Sequence, residues 1–194
     1  MSKTKTIDLT SGPILKTLAE LALPIMASSL LGTAYNITDM AWIGMLGSKA
    51  VAGVGVGGMY VWLSQGLVAL PRMGGQVNVA QACGRGDYEQ ARGYAASALR
   101  LTFLLGILFA AVCIVFIHPL LGFFNLGDAE TYTAAKLYTL ITCGLILFSF
   151  LNLTLTGLST AQGDSKTPLM ANLLGLVGNM ILDPIRSSDL DHFQ

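Results

Sequence analysis

Residues 94–117 read YAASALRLTFLLGILFAAVCIVFI, an apolar run interrupted by one charge, Arg100. About 20 such residues in a helix cross a bilayer, so this stretch alone suffices for a span. Its arginine lies about a turn and a half inside the run, close enough to snorkel its guanidinium to the headgroups. The run stops at His118–Pro119. The whole chain shares this character. Of 194 residues, 53% are hydrophobic and only 11% charged, where a soluble domain carries about 25% charge. Mean hydropathy is +0.64. Too little polar material is present to cover a water-facing surface, which places the chain among membrane proteins.

Working outward from 94–117, the polar stretch QACGRGDYEQARG precedes it. It reads as a turn followed by a helix start, with Asp87 as cap and Gln90 three residues later. Four further apolar segments complete an all-α, polytopic membrane bundle of five spans, at about 16–45, 50–80, 94–117, 131–157 and 168–186. Residues 1–15 form a polar tail without signal-peptide features, and 187–194 turn abruptly polar again. Pro24 predicts a bend in the first span. GMLGSKA predicts a tight turn after it, and TGLSTAQGDSKTP a loop before the last span, which begins near Pro168. In the second span Gly53, Gly57 and Gly58 form a strip of small residues on which another helix can pack closely. Trp42, Tyr60 and Trp62 suit the membrane belt or the lipid face. The positive-inside rule sets the orientation. A cytoplasmic amino terminus puts Lys3, Lys5, Lys16, Arg85, Arg92 and Lys166 inside, against Lys49 and Lys136 outside. Arg72, like Arg100, then falls near the inner face.

Several classes are excluded. Eleven basic and eleven acidic residues cancel, and no basic patch invites nucleic acid. The run GVGVGG at 53–58 lacks the Lys-Ser/Thr of a phosphate loop and the strand–turn–helix setting of a dinucleotide site. Cys83, Cys113 and Cys143 sit in or beside apolar runs without metal-ligand spacing and read as small hydrophobes. No nucleophile triad, metal cluster or cofactor site is visible, so the chain does not read as an enzyme.

The informative residues are acids within spans. Glu20 stands about one turn into the first helix and can pair with Lys16. Asp39 lies 23 residues beyond Lys16, and Asp183 lies 15 beyond Pro168, or roughly 35 Å and 22 Å along helices rising 1.5 Å per residue. With both helices running outward, both acids fall in the outer half of their spans and can face one cavity. An ionised carboxylate in lipid costs about 2.5 kcal/mol or more, and desolvation raises its pKa. Both facts suit proton binding. With neutral oxygens beside it, the same site can hold Na⁺. Asn179 lies one turn before Asp183; Tyr35 and Asn36 lie four and three residues before Asp39, on its face. The structural alternative is Asn–Asp hydrogen bonding as helix glue, worth about 0.6 kcal/mol each. Gln65 and Asn152 are further candidates to line a polar path. His118, before Pro119, reads as an interfacial residue.

Three stretches carry a resemblance to a known family. LALPIMASSLLGTAYNITDMAWIGMLGSKAVAGVGVG, VNVAQACGRGDYEQAR and LTGLSTAQGDSKTPLMANLLGLVGNMILDPI resemble, in order and in register, the multidrug and toxic compound extrusion transporters. The likeness covers about residues 12–185. It implies a partial amino-terminal lobe of a twelve-helix, two-lobed secondary transporter in the cytoplasmic membrane, working as a monomer. An inward Na⁺ or H⁺ gradient would drive efflux of amphipathic, cationic small molecules, with no other cofactor. Asp39 and Asp183 stand where the family has its helix-one and helix-five aspartates, Asn179 at its helix-five asparagine, Tyr35 at its helix-one tyrosine, and Asn152 at its helix-four polar position. The family continues apolar where RSSDLDHFQ stands, so the expectation is a truncated and inactive fragment. Two rivals remain: a flippase of lipid-linked precursors, which a cationic cavity would favour, and a non-transporting membrane scaffold, which the glue reading would favour.

Overall fold

A computed structural model describes residues 14–45, 47–175 and 177–178. The tail at 1–13, the end of the last expected span with Asn179 and Asp183, and the polar stretch 187–194 lie outside the described residues. Helix α1 is Ile14–Met45, α2 Ser48–Gly84, α3 Tyr88–Val115, α4 Ile117–Gly122, α5 Ala129–Gly144 and α6 Ile146–Ala161; a further helix, α7, covers 166–175. The chain divides into two compact units, one of residues up to 39 and from 163, the other of residues 40–162.

The first unit contains α1 as far as Asp39, and α7. Pro24 lies inside α1, which is continuous through it. Asp164 starts α7 by accepting hydrogen bonds from the Lys166 and Thr167 N–H groups at 3.2 and 3.0 Å. These are donors that a helix start leaves unpaired, and they put Pro168 in the first turn.

In the second unit α2 packs against α3, α5 and α6, and α3 also packs against α5 and α6. The turn into α2 passes through Gly47 at φ 102°, a left-handed conformation that a side chain disfavours. The cap expected at Asp87 is present: its carboxylate accepts from the Gln90 N–H at 2.9 Å. The Gln90 side chain does not close a capping box; its Oε1 accepts from Arg85 at 2.7 Å. The expected span 131–157 is two helices, bent by 45° at Leu145. Leu145 leaves the helical region at φ −97°, ψ 7°, directly after Gly144, the poorest helix former short of proline.

The interior is small and partly polar, and the exterior large and apolar. Fully buried positions include Ser64, Thr102, Thr139 and Thr154. On α3, Phe103, Leu104, Ile107, Leu108 and Val115 are exposed. In lipid no hydrophobic force drives one apolar helix against another, so close backbone approach and hydrogen bonds must do it. The core follows that rule. Val79, Ala82, Ala91, Ala98, Leu158 and Ala161 make one cluster. Val68, Ile146 and Phe150 make a second, with Phe109 tilted against Phe150. Ile117, Leu121 and Ala135 make a third.

Of the expected glycine strip, two members are used. A methyl at Gly53 would stand 2.9 Å from Ala134 Cβ, and one at Gly57 2.8 Å from Thr139 Oγ1; Gly58 faces open space. The used pair is spaced by four, as one helix face requires. Trp62 is exposed, as a belt residue would be. Tyr60 is half-buried: its hydroxyl donates to the Leu120 carbonyl at 2.7 Å and its ring meets Phe124 edge-on. A phenol needs a partner for its O–H away from water. The Trp42 side chain lies outside the description.

α1, α2 and α3 are each long and apolar enough to cross a membrane, and α5 with α6 makes a fourth candidate as one bent span.

Candidate functional site

In the first unit the sequence pointed to α1. Tyr35 and Asp39 are both half-buried, one turn apart on the same helix face, and both interact with neighbouring groups. Asn36 is exposed. The nearby hydroxyls of Thr33 and Thr38 are satisfied on their own helix, donating to the Ser29 and Ala34 carbonyls at 3.0 Å. The carboxylate and the phenol are therefore the half-buried polar groups of this stretch, beside an exposed Asn36 and two exposed threonines. Glu20 is exposed, in keeping with an interfacial residue.

In the second unit, Gln65 and Asn152 are both exposed. Two other polar features there lie at helix contacts. The Thr102 and Thr154 hydroxyls meet at 2.9 Å between α3 and α6. Arg72 and Gln76, one turn apart on α2, are half-buried where α6 passes at Gly157. A methyl at Gly157 would stand 3.1 Å from Arg72 Cγ and 3.4 Å from Gln76 Oε1. Among the described residues the Arg72 Nε is buried and has no hydrogen-bond partner. Sequence reasoning passed over Arg72 as a headgroup-facing residue. The available signal was spacing: Gln65, Arg72 and Gln76 are seven and four apart, which puts three polar groups on one stripe of an apolar helix.

At one end of this unit Lys49, at the start of α2, pairs with Asp128 and Glu130 at the start of α5. These two helix starts therefore lie on the same side of the unit. Hydrogen bonds from the Thr131 hydroxyl and N–H, aided by the Glu130 N–H and the Lys49 charge, hold the Asp128 carboxyl below the usual carboxylate range. His118 Nδ1 and the Tyr132 hydroxyl are 2.8 Å apart with the rings stacked. His118 thus bridges α4 and α5, a tie that proximity in sequence did not reveal. Among the described residues no group of three or more His, Cys, Asp or Glu is placed to hold a metal ion.

Long apolar helices, small residues at their contacts and polar groups inside define a polytopic helical membrane protein. Comparison with known proteins narrows the class. A family model, MatE, matches residues 24–185. The chain is 29% identical over 171 residues to the "Probable multidrug resistance protein NorM" of Thermotoga maritima, covering 88% of this chain and 36% of that protein. It is 25% identical over 177 residues to the "FAD transporter" of Shewanella oneidensis, covering 91% and 39%. Among solved structures, an outward-facing multidrug resistance MATE family transporter of the MOP superfamily superposes with a TM-score of 0.81 at 27% identity, over 95% of this chain and 41% of that one.

The chain belongs to the MatE family, whose members are transporters and not enzymes. Its helices are those of the amino-terminal lobe, and it spans about two-fifths of the length of the relatives it matches.

Proposed function

We propose that the whole protein is a secondary active exporter in the cytoplasmic membrane, with Asp39 as a cation- or proton-binding group of its amino-terminal lobe. The observation that carries this reading is a carboxylate held half-buried in a 32-residue apolar helix, with a tyrosine one turn away. An acid inside a span is costly when ionised and marks an ion or proton path. Asp183, Asn179 and Tyr35 complete the proposed site by resemblance to the family. Protonation, or Na⁺ binding, cancels the charge on the carboxylates and removes the penalty of burying them. Helix packing that tolerates the neutral form then differs from packing that tolerates the anion, and this difference biases alternating access. A substrate that binds one form better is coupled to the gradient by linkage. Amphipathic, cationic small molecules suit a site that becomes anionic when the ion leaves. The Lys and Arg bias supports a cytoplasmic amino terminus, and five spans at the boundaries given above, acting as part of a monomeric transporter, fit this reading.

Efflux from energised membrane vesicles tests it. Asp39→Asn and Asp183→Asn should each abolish gradient-driven efflux at unchanged expression; intact efflux in both variants would remove the assignment.

A second reading, a flippase or exporter of phosphate-bearing substrates, is favoured by one structural observation and one likeness. Arg72 places a cation at the α2–α6 contact, its Nε inside, and one relative is named a FAD transporter.

A further inference from the structure

We infer that Arg72 and Gln76, at the point where α6 passes with Gly157, form a binding position for an anionic oxygen group, a phosphate or carboxylate carried by the transported molecule or by a lipid. Arginine carries five N–H donors and no acceptor, and it stays protonated under all ordinary conditions. Among the described residues no ion pair joins Arg72, and its Nε is both buried and unbonded. Most buried polar atoms find a partner, and leaving one without costs about 1–3 kcal/mol. A fixed cation within an apolar helix is dearer still and normally pairs with an anion or lines a wet cavity.

Geometry adds specificity. Gln76 follows Arg72 by one helical turn on the same face, and its amide carries an N–H₂ donor beside the Oε1 that meets Gly157. Both side chains lie against Gly157. Its missing side chain leaves them space: a methyl there would press on Arg72 Cγ at 3.1 Å and approach Gln76 Oε1 at 3.4 Å. Two neighbouring donor groups and a permanent positive charge select an acceptor with several oxygens. Phosphate and carboxylate meet that need through paired charge-assisted hydrogen bonds. The inference rests on the transport reading only in taking one possible carrier of this group to be cargo; binding itself is tested without transport.

The protein is reconstituted in nanodiscs of zwitterionic lipid and its thermal unfolding midpoint is followed against three additions. These are inorganic pyrophosphate, dihexanoyl phosphatidic acid, and dihexanoyl phosphatidylcholine as a control. The midpoint should rise with a phosphate compound, saturably, and not with the control. Response to pyrophosphate identifies a free anion as sufficient; response to phosphatidic acid alone identifies an amphiphilic phosphate. Arg72→Gln should weaken the apparent affinity at least tenfold, Arg72→Lys less, and Asp39→Asn not at all. Should Arg72→Gln fail to fold, Gly157→Ala, with its helix content verified by circular dichroism, should weaken binding several-fold by crowding the pair. No saturable response to either phosphate compound, or equal response in wild type and every foldable Arg72 and Gly157 variant, overturns the proposal. Loss of efflux coupling in Asp39→Asn with phosphate binding intact leaves this site standing, while a wild type that couples efflux but shows no saturable phosphate response refutes this site alone.

Discussion

The hydroxyls of Thr102 on α3 and Thr154 on α6 lie 2.9 Å apart, with both residues fully buried. Thr102 Oγ1 also donates to the Ala98 carbonyl at 2.8 Å, so the proton between the two threonines comes from Thr154. That direction makes the two positions unequal. Thr154→Val removes a donor and leaves Thr102 bonded to its own helix, so the loss should be about 0.6 kcal/mol, the average for a hydrogen bond between membrane helices. Thr102→Val strands the Thr154 hydroxyl in the core and should cost about 1–2 kcal/mol. The double variant should fall short of the sum, because both changes remove one shared bond. Unfolding in mixed micelles with increasing SDS measures all three.

Gly57 and Gly58 are adjacent in sequence and opposite in consequence. A methyl at 57 would lie 2.5 Å from Tyr138 Cδ1 and 2.8 Å from Thr139 Oγ1, whereas at 58 nothing lies within 4 Å. Gly57→Ala should therefore destabilise by about 1–3 kcal/mol, the cost of overpacking a filled contact. Gly58→Ala should be neutral or stabilise by up to about 1 kcal/mol through helix propensity. The same SDS titration separates them.

Asp128 predicts a response to acid. Its carboxyl accepts hydrogen bonds from the Thr131 hydroxyl at 2.6 Å and the Thr131 N–H at 3.2 Å, which hold its pKa below the ordinary carboxylate value. Since the folded value is the lower one, the stabilisation is complete well above the ordinary aspartate pKa and is lost as pH falls through the lower, folded value. Amide exchange at Thr131, corrected for the intrinsic pH dependence, should lose protection in that window. Asp128→Asn should show no such step.

Tyr35 and Asp39 should separate orientation from charge. If the carboxylate is the ion-binding group, Asp39→Asn abolishes coupled efflux. Tyr35→Phe, which keeps the ring and removes one hydroxyl, should lower it by about tenfold or less, one hydrogen bond being worth about 1 kcal/mol. Initial efflux rates at matched expression check the order, and an inactive Tyr35→Phe beside an active Asp39→Asn would reverse the roles.

The amino-acid sequence by itself determined the medium and the material. Length and apolarity of runs such as 94–117 require helices in a bilayer, because only internally hydrogen-bonded backbone is stable there. Local chemistry was legible as well: Asp87 as a cap and the four-residue spacing of Tyr35 and Asp39 both depend on neighbours within a turn. Tertiary structure decided what no local pattern encodes. It chose Gly57 over Gly58, placed the break at Leu145, drew the Tyr60 hydroxyl to the Leu120 carbonyl and turned Arg72 toward Gly157. The reason is physical. A helix that meets lipid on one side and apolar helices on the other is greasy all round, so its hydrophobic periodicity does not mark which face is inside. That choice rests on which backbones can approach closely and which polar groups find partners, and both are properties of helix pairs.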